Sequence, residues 1–121
     1  MTGEIEVNDR SLAFLLVVHD GNFIKYCSQR LRENPELWRA MLEFEGAGFG
    51  YLMDWAGETV LNNTEIATLA FPRGASLQLF SNRIRADKGL VRLAIQHDPT
   101  NLRWASNRLR EDRAFTLDLL H

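Results

Sequence analysis

From Asp9 onward the apolar residues fall at helical spacing in short blocks, and each block is opened by the same kind of residue. An Asp or Asn (Asp9, Asn34, Asn63, Asp87, Asp112) stands three residues before an apolar one, the order of a helix N-cap ahead of its buried face. Asn34-Pro35-Glu36 adds proline at the first helical position and an acid at the positive end of the helix dipole. The first helices so predicted place Leu12, Leu15 and Leu16 on one face. Their equivalents are Leu37, Ala40 and Met41, then Ile66, Leu69 and Ala70, then Leu90, Leu93 and Ala94. Beyond a turn at Asp20-Gly21, Glu45-Gly46, Arg73-Gly74 or Asp98-Pro99, a second and shorter helix is predicted. It turns Ile24, Cys27 and Leu31 inward, matched by Leu77, Phe80 and Ile84 and by Leu102, Ala105 and Leu109.

The blocks are copies of one unit, about 9–33, 34–61, 62–86 and 87–111, with a partial fifth over 112–121. The turn residues Gly21, Gly46, Gly74 and Pro99 are 25, 28 and 25 residues apart, so copy two carries about three extra residues. The best-matched segments run Tyr26 to Arg32, Leu79 to Arg85 and Trp104 to Arg110. Self-similarity at a fixed period marks a stacked repeat architecture. Helices of roughly ten and eight residues are marginal alone in water, so neighbouring copies must hold them. The predicted fold is all-α: one domain over 1–121, built of short helical-hairpin repeats stacked as an α-solenoid or a compact helical-repeat domain.

Composition narrows this reading. The chain is 45% hydrophobic and 25% charged, ordinary for a folded domain, and its net charge of −2 argues against a general polyanion binder. One cysteine excludes an intrachain disulfide, and the repeat gives Cys27 the place of a small core residue. The apolar run Leu12 to Val18 follows Glu4, Glu6 and Asp9, has no small-residue cleavage site after it, and is too short to cross a bilayer. A cytoplasmic or otherwise intracellular setting is expected. Phe115 and Leu119 are expected to lack a second helix to cover them, which fits a truncated piece, a larger parent protein or a dimer contact.

The stretch from Leu90-Val91-Arg92-Leu93-Ala94-Ile95-Gln96 through Asn101-Leu102-Arg103-Trp104-Ala105-Ser106-Asn107-Arg108-Leu109-Arg110-Glu111-Asp112 resembles the domain of unknown function 4116 family. The likeness rests on an apolar helix and a turn, then leucine, aromatic, alanine, serine, two polar residues, leucine, arginine and acid. It is good for copies one and four, fair for copy three and poor for the second half of copy two. The resemblance implies a helical repeat module, often part of a larger protein. It brings no activity and no catalytic residue.

Tyr26 with Arg30, Tyr51 with Trp55, Leu79 with Arg83, and Trp104 with Arg108 each stand four residues apart, opposite the apolar face. Such a face either packs on the next copy or forms an aromatic and basic stripe that receives a partner, with an arginine over Tyr26 or Trp104 as a cation–π pair. Arg32, Arg85 and Arg110 end the second helices. There they complement the helix dipole or, in a second reading, form a ladder for phosphates. Copy two breaks the repeat over 49–57, which makes Phe49, Tyr51 and Trp55 candidate contacts. Gly46, Gly48 and Gly50 do not form a dinucleotide loop, because Tyr51 stands where a glycine should be and a helix precedes the run. His19 and His97 share one slot three copies apart, too far to share a metal ion.

Ser28, Ser81 and Ser106 recur where a small residue lets helices approach, and no nucleophile, base and acid stand at a meaningful spacing. The expected function is a protein-protein interaction or scaffold module without cofactor, metal or catalysis. The alternative is single-stranded nucleic-acid binding through the arginine rows. The partner-binding candidates are Phe49, Tyr51, Trp55, Tyr26, Arg30, Arg83, Trp104 and Arg108.

Overall fold

The predicted caps form as side-chain hydrogen bonds in a computed structural model, which describes residues 8–45 and 50–120. Asp9 accepts from the Leu12 N–H at 2.9 Å, Asn63 from Ile66 at 3.0 Å, Asp87 from Leu90 at 3.1 Å and Asp112 from Phe115 at 3.0 Å. Asn34 accepts from Glu36 at 3.0 Å. Each cap opens the longer α-helix of its copy, and a 3-10 segment then leads to an α-helix of one turn. The pairs are α1 (Arg10–His19) with α2 (Gln29–Arg32), α3 (Pro35–Glu45) with α4 (Glu58–Leu61), α5 (Thr64–Ala70) with α6 (Asn82–Arg85), and α7 (Lys88–His97) with α8 (Asn107–Arg110). A further helix, α9 (Arg113–Asp118), opens the fifth copy. The fold is all-α, a helical-repeat domain, with no β-strand among the described residues.

The second half of each copy is not the continuous eight-residue helix that its spacing suggests. It is a 3-10 segment (Gly21–Tyr26, Gly50–Trp55, Leu77–Leu79, Pro99–Trp104), an extended step, and then the one-turn helix. Cys27 and Ser28 take ψ of 151° and 158°, which ends one helix and caps the next. Ser28, Ser81 and Ser106 are those caps, accepting from Leu31 at 3.4 Å, Ile84 at 3.3 Å and Leu109 at 3.3 Å. Their recurrence comes from hydrogen bonding, not from the need for a small side chain.

Gly57 caps α4 in the place of serine, which shifts the register of copy two. Gly50, rather than Gly46, matches Gly21, Gly74 and Pro99, because each of these four stands 13 residues before the next cap. The extra residues of copy two therefore fall before Gly50. Trp55 becomes the equivalent of Tyr26, Leu79 and Trp104, and Ala56 that of Cys27.

Consecutive first helices pack on one another, α1 on α3, α3 on α5 and α5 on α7. A helix held on both sides buries two adjacent rows, so Leu37, Met41, Ile66, Ala70, Leu90 and Ala94 are buried together with Trp38, Leu42, Ala67, Phe71 and Val91. In α1 the burial differs from expectation. Ala13 and Val17 point inward, and Leu12 and Leu15 are exposed, because no described helix precedes α1. The second-half positions follow the prediction: Ile24, Cys27, Leu31, Leu77, Phe80, Ile84, Ala105 and Leu109 are buried, and Leu102 packs against them. Phe115 is buried beside α8 and Leu119 half-buried, whereas Leu117 and Leu120 are the exposed large apolar residues of the last segment. Among the described residues no helix is long and apolar enough to cross a membrane.

Candidate partner-binding surface

One backbone hydrogen bond recurs at every internal junction and fixes the order of the surface. The N–H of the short-helix cap donates to the last carbonyl of the preceding copy's short helix: Gly57 to Arg32 at 3.1 Å, Ser81 to Leu61 at 3.0 Å, Ser106 to Arg85 at 2.9 Å. Two residues before each cap the 3-10 segment ends on a large apolar side chain. These residues are Tyr26, Trp55, Leu79 and Trp104, so they recur on one side of successive copies. Tyr26 is 57% and Trp55 39% exposed, and Leu79 and Trp104 are half-buried.

The cations beside this row come from other positions than the residue four places on. Arg32 ends α2 of copy one and lies over the Trp55 ring of copy two, 5.9 Å from its centroid. Arg85 ends α6 of copy three, and its Nε donates to the Trp104 carbonyl at 2.6 Å. Arg103 covers the Trp104 ring at 5.3 Å. Arg32 also holds the start of copy two, since its carbonyl accepts the Trp38 Nε1–H at 2.7 Å. Its own Nε is buried without a hydrogen-bond partner among the described residues.

Arg30 and Arg83 turn away from the aromatic row. The cap at Ser28 or Ser81 breaks the helix between the arginine and Tyr26 or Leu79, so a spacing of four no longer places them side by side. Arg30 donates to the Asn8 carbonyl at 2.8 Å and to its Oδ1 at 3.1 Å. Arg83 does the same at Asn62, through Nε to Oδ1 at 3.0 Å and through Nη2 to the carbonyl. Ser28 and Ser81 donate to the same two asparagines at 2.8 and 2.6 Å. Copy two has Glu33 and Gly57 in these places, and copy four has Ala86 and Ser106. Arg108 accordingly makes no hydrogen bond or ion pair with any described residue. Phe49 lies outside the described residues, as does the Tyr51 side chain; the Tyr51 backbone belongs to the 3-10 segment Gly50–Trp55.

A groove of about 740 Å³ opens beside Leu79 where copies two and three meet, lined among others by Glu58, Thr59, Asn62, Asn82 and Arg83. The perturbed carboxyls lie elsewhere, Asp20 and Asp98 at turns and Asp112 at the cap of α9, where the Phe115 backbone N–H holds it low. Asp20 is held below the ordinary carboxylate range by the Asn22 backbone N–H and then its side chain, and Asp98 by the Thr100 side chain and then its backbone N–H. Both cap 3-10 segments, the turn role their sequence context suggests. Burial pushes the Cys27 thiol up, and its S–H donates to the Phe23 carbonyl at 3.6 Å. His19 and His97 end α1 and α7, exposed. Among the described residues no three His, Cys, Asp or Glu side chains gather where they could hold a metal ion. No protein-family model, curated protein or solved structure matches the chain.

Sequence reasoning missed the Asn8 and Asn62 clamps and the seat of Arg32 on Trp55. The clamps had a legible signal: an Asn directly before the first cap, and Ser-x-Arg 20 or 19 residues later. The Arg32 contact had none, because it depends on the register of copy two.

Proposed function

We propose that the chain is a protein-interaction module whose copies, arranged as an α-solenoid, offer the row Tyr26, Trp55, Leu79 and Trp104 to a protein partner. Kinship with the domain of unknown function 4116 family and an intracellular setting are parts of the same proposal. The observation that carries it is that a large apolar side chain sits at the same solvent-reaching position in all four copies, two of them beneath an arginine. Exposed aromatic and arginine side chains are the residue types that anchor protein interfaces. A row with one anchor per copy suits an extended segment laid along the stack.

The nucleic-acid reading is weaker, because Arg30 and Arg83 hold the Asn8 and Asn62 carbonyls and the net charge is −2. The test compares proteins retained by the immobilised chain with those retained by a Tyr26→Ala/Trp55→Ala variant of unchanged circular dichroism. Specific loss from the variant supports the proposal, and an identical retained set removes it. Single-stranded RNA in the same assay, binding steeply less as salt rises, would favour the phosphate reading instead.

A further inference from the structure

We infer that this chain binds a second copy of itself head to tail, the exposed face of α1 seating on the exposed face of α9 and continuing the repeat from one molecule into the next. Leu12 is 48% and Leu15 72% exposed on α1, and Leu117 is 50% and Leu120 79% exposed at the other end. The chain itself shows what covers such positions. Leu37, Ile66 and Leu90 are the equivalents of Leu12 and are buried; Ala40, Leu69 and Leu93 are those of Leu15 and are at least half-buried. What covers them is the preceding first helix. Leu117 stands where Arg39 and Arg92 stand, and both reach the following copy, Arg39 to Glu65 at 3.1 Å and Arg92 to Asp118. Leu120 stands where Val17, Leu42 and Phe71 are buried.

The polar positions of the two ends also match. Within the chain, Lys88 pairs with Asp112, the cap of the following copy, at 3.4 Å. Arg113 occupies the place of Lys88 and Asp9 that of Asp112, so Arg113 of one molecule meets Asp9 of the next. Where Arg39 meets Glu65, the terminal pair is Leu117 with Ser11, which strips no charge of water. Up to residue 81 the chain has six Lys and Arg against eleven Asp and Glu, and from residue 82 eight against five. That polarity favours unlike ends over like ones. Such an interface is heterologous, so each dimer keeps one free head and one free tail and association continues beyond two.

Sedimentation velocity on wild type, Leu15→Glu, Leu120→Glu and their equimolar mixture tests the idea, with circular dichroism confirming that each variant is folded. Wild type should rise in apparent mass with concentration and pass the dimer. Each variant alone should stay monomeric, because one of the two faces is spoiled in every molecule. The mixture should give a species of twice the monomer mass and stop there. A monomeric wild type across the range, a variant that associates as wild type does, or a monomeric mixture would overturn the inference. It uses the two ends and not the aromatic row, so Trp55→Ala should associate like wild type.

Discussion

Glu33 fills the space that a side chain at Gly57 would need: a Cβ built on Gly57 lies 1.9 Å from Glu33 Cγ. In copies one and three the same junction holds Asn and Ser, and in copy four Ala and Ser, so a large residue before the first cap goes with glycine at the second. Gly57→Ser should cost about 1–3 kcal/mol through overpacking. Glu33→Ala in the same chain should recover most of that loss, because Ala and Ser already coexist at Ala86 and Ser106. Chemical denaturation of the two single variants and the double variant measures the coupling; additive losses would contradict it.

The serine caps with and without an asparagine clamp should differ in worth. Ser81→Ala removes the cap bond to Ile84 and the bond to Asn62, and should cost about 1–2 kcal/mol, the upper part of the range for N-caps. Ser106→Ala removes the cap bond to Leu109 and has no asparagine to release, so it should cost less. Equal losses in thermal melts would argue against the Asn62 clamp.

Burial sorts the leucines by position in the stack. Leu31→Ala and Leu109→Ala should each cost about 2–5 kcal/mol as buried deletions. Leu15→Ala, on the exposed face of α1, should change stability by no more than about 0.5 kcal/mol in dilute protein. A large loss at Leu15 in a monomeric sample would contradict the assigned faces.

Asp20, Asp98 and Asp112 are all held below the ordinary carboxylate range by hydrogen bonds, the first causes being the Asn22 backbone N–H, the Thr100 side chain and the Phe115 backbone N–H. A depressed folded-state value means that the unfolded chain takes up protons first as pH falls. The stabilisation is therefore complete well above about pH 3.9, the unfolded value, and is lost as pH drops through the lower folded values. Urea melts from pH 6 downward should show the midpoint falling in that window. Asp20→Asn/Asp98→Asn should flatten the dependence, and a slope unchanged by the pair would refute their part in it.

Cys27 should react slowly with a thiol reagent at neutral pH, because it is buried and its thiol is pushed up. The rate should rise on addition of denaturant in step with global unfolding. Rapid labelling of the native protein would show that the second-half core opens locally.

The period, the first-helix caps and the buried residues of the second halves were legible because capping and burial leave local marks. The break inside the second half was not read, although its mark was present. Ser28, Ser81 and Ser106 each stand three residues before a buried Leu or Ile, as the Asp and Asn caps do. Ile24, Cys27 and Leu31 also satisfy the spacing of an unbroken helix, which hid it. The face of α1 was misread because Leu12 to Val18 is apolar all round, so periodicity alone cannot choose between Leu12 and Ala13. The candidate surface was half legible: Tyr26, Trp55 and Trp104 stood out as aromatics, but the partners of Arg30 and Arg83 lie about twenty residues upstream, beyond local pattern.

The amide of Gly57, Ser81 or Ser106 reaches back one copy and no further, so every joint is a local transaction between adjacent units. The joints share this bond but not their side chains, which are Glu33 with Gly57, Asn62 with Ser81 and Ala86 with Ser106, so a unit can be duplicated or excised without crowding only where the residue before the first cap still meets a short-helix cap that it fits.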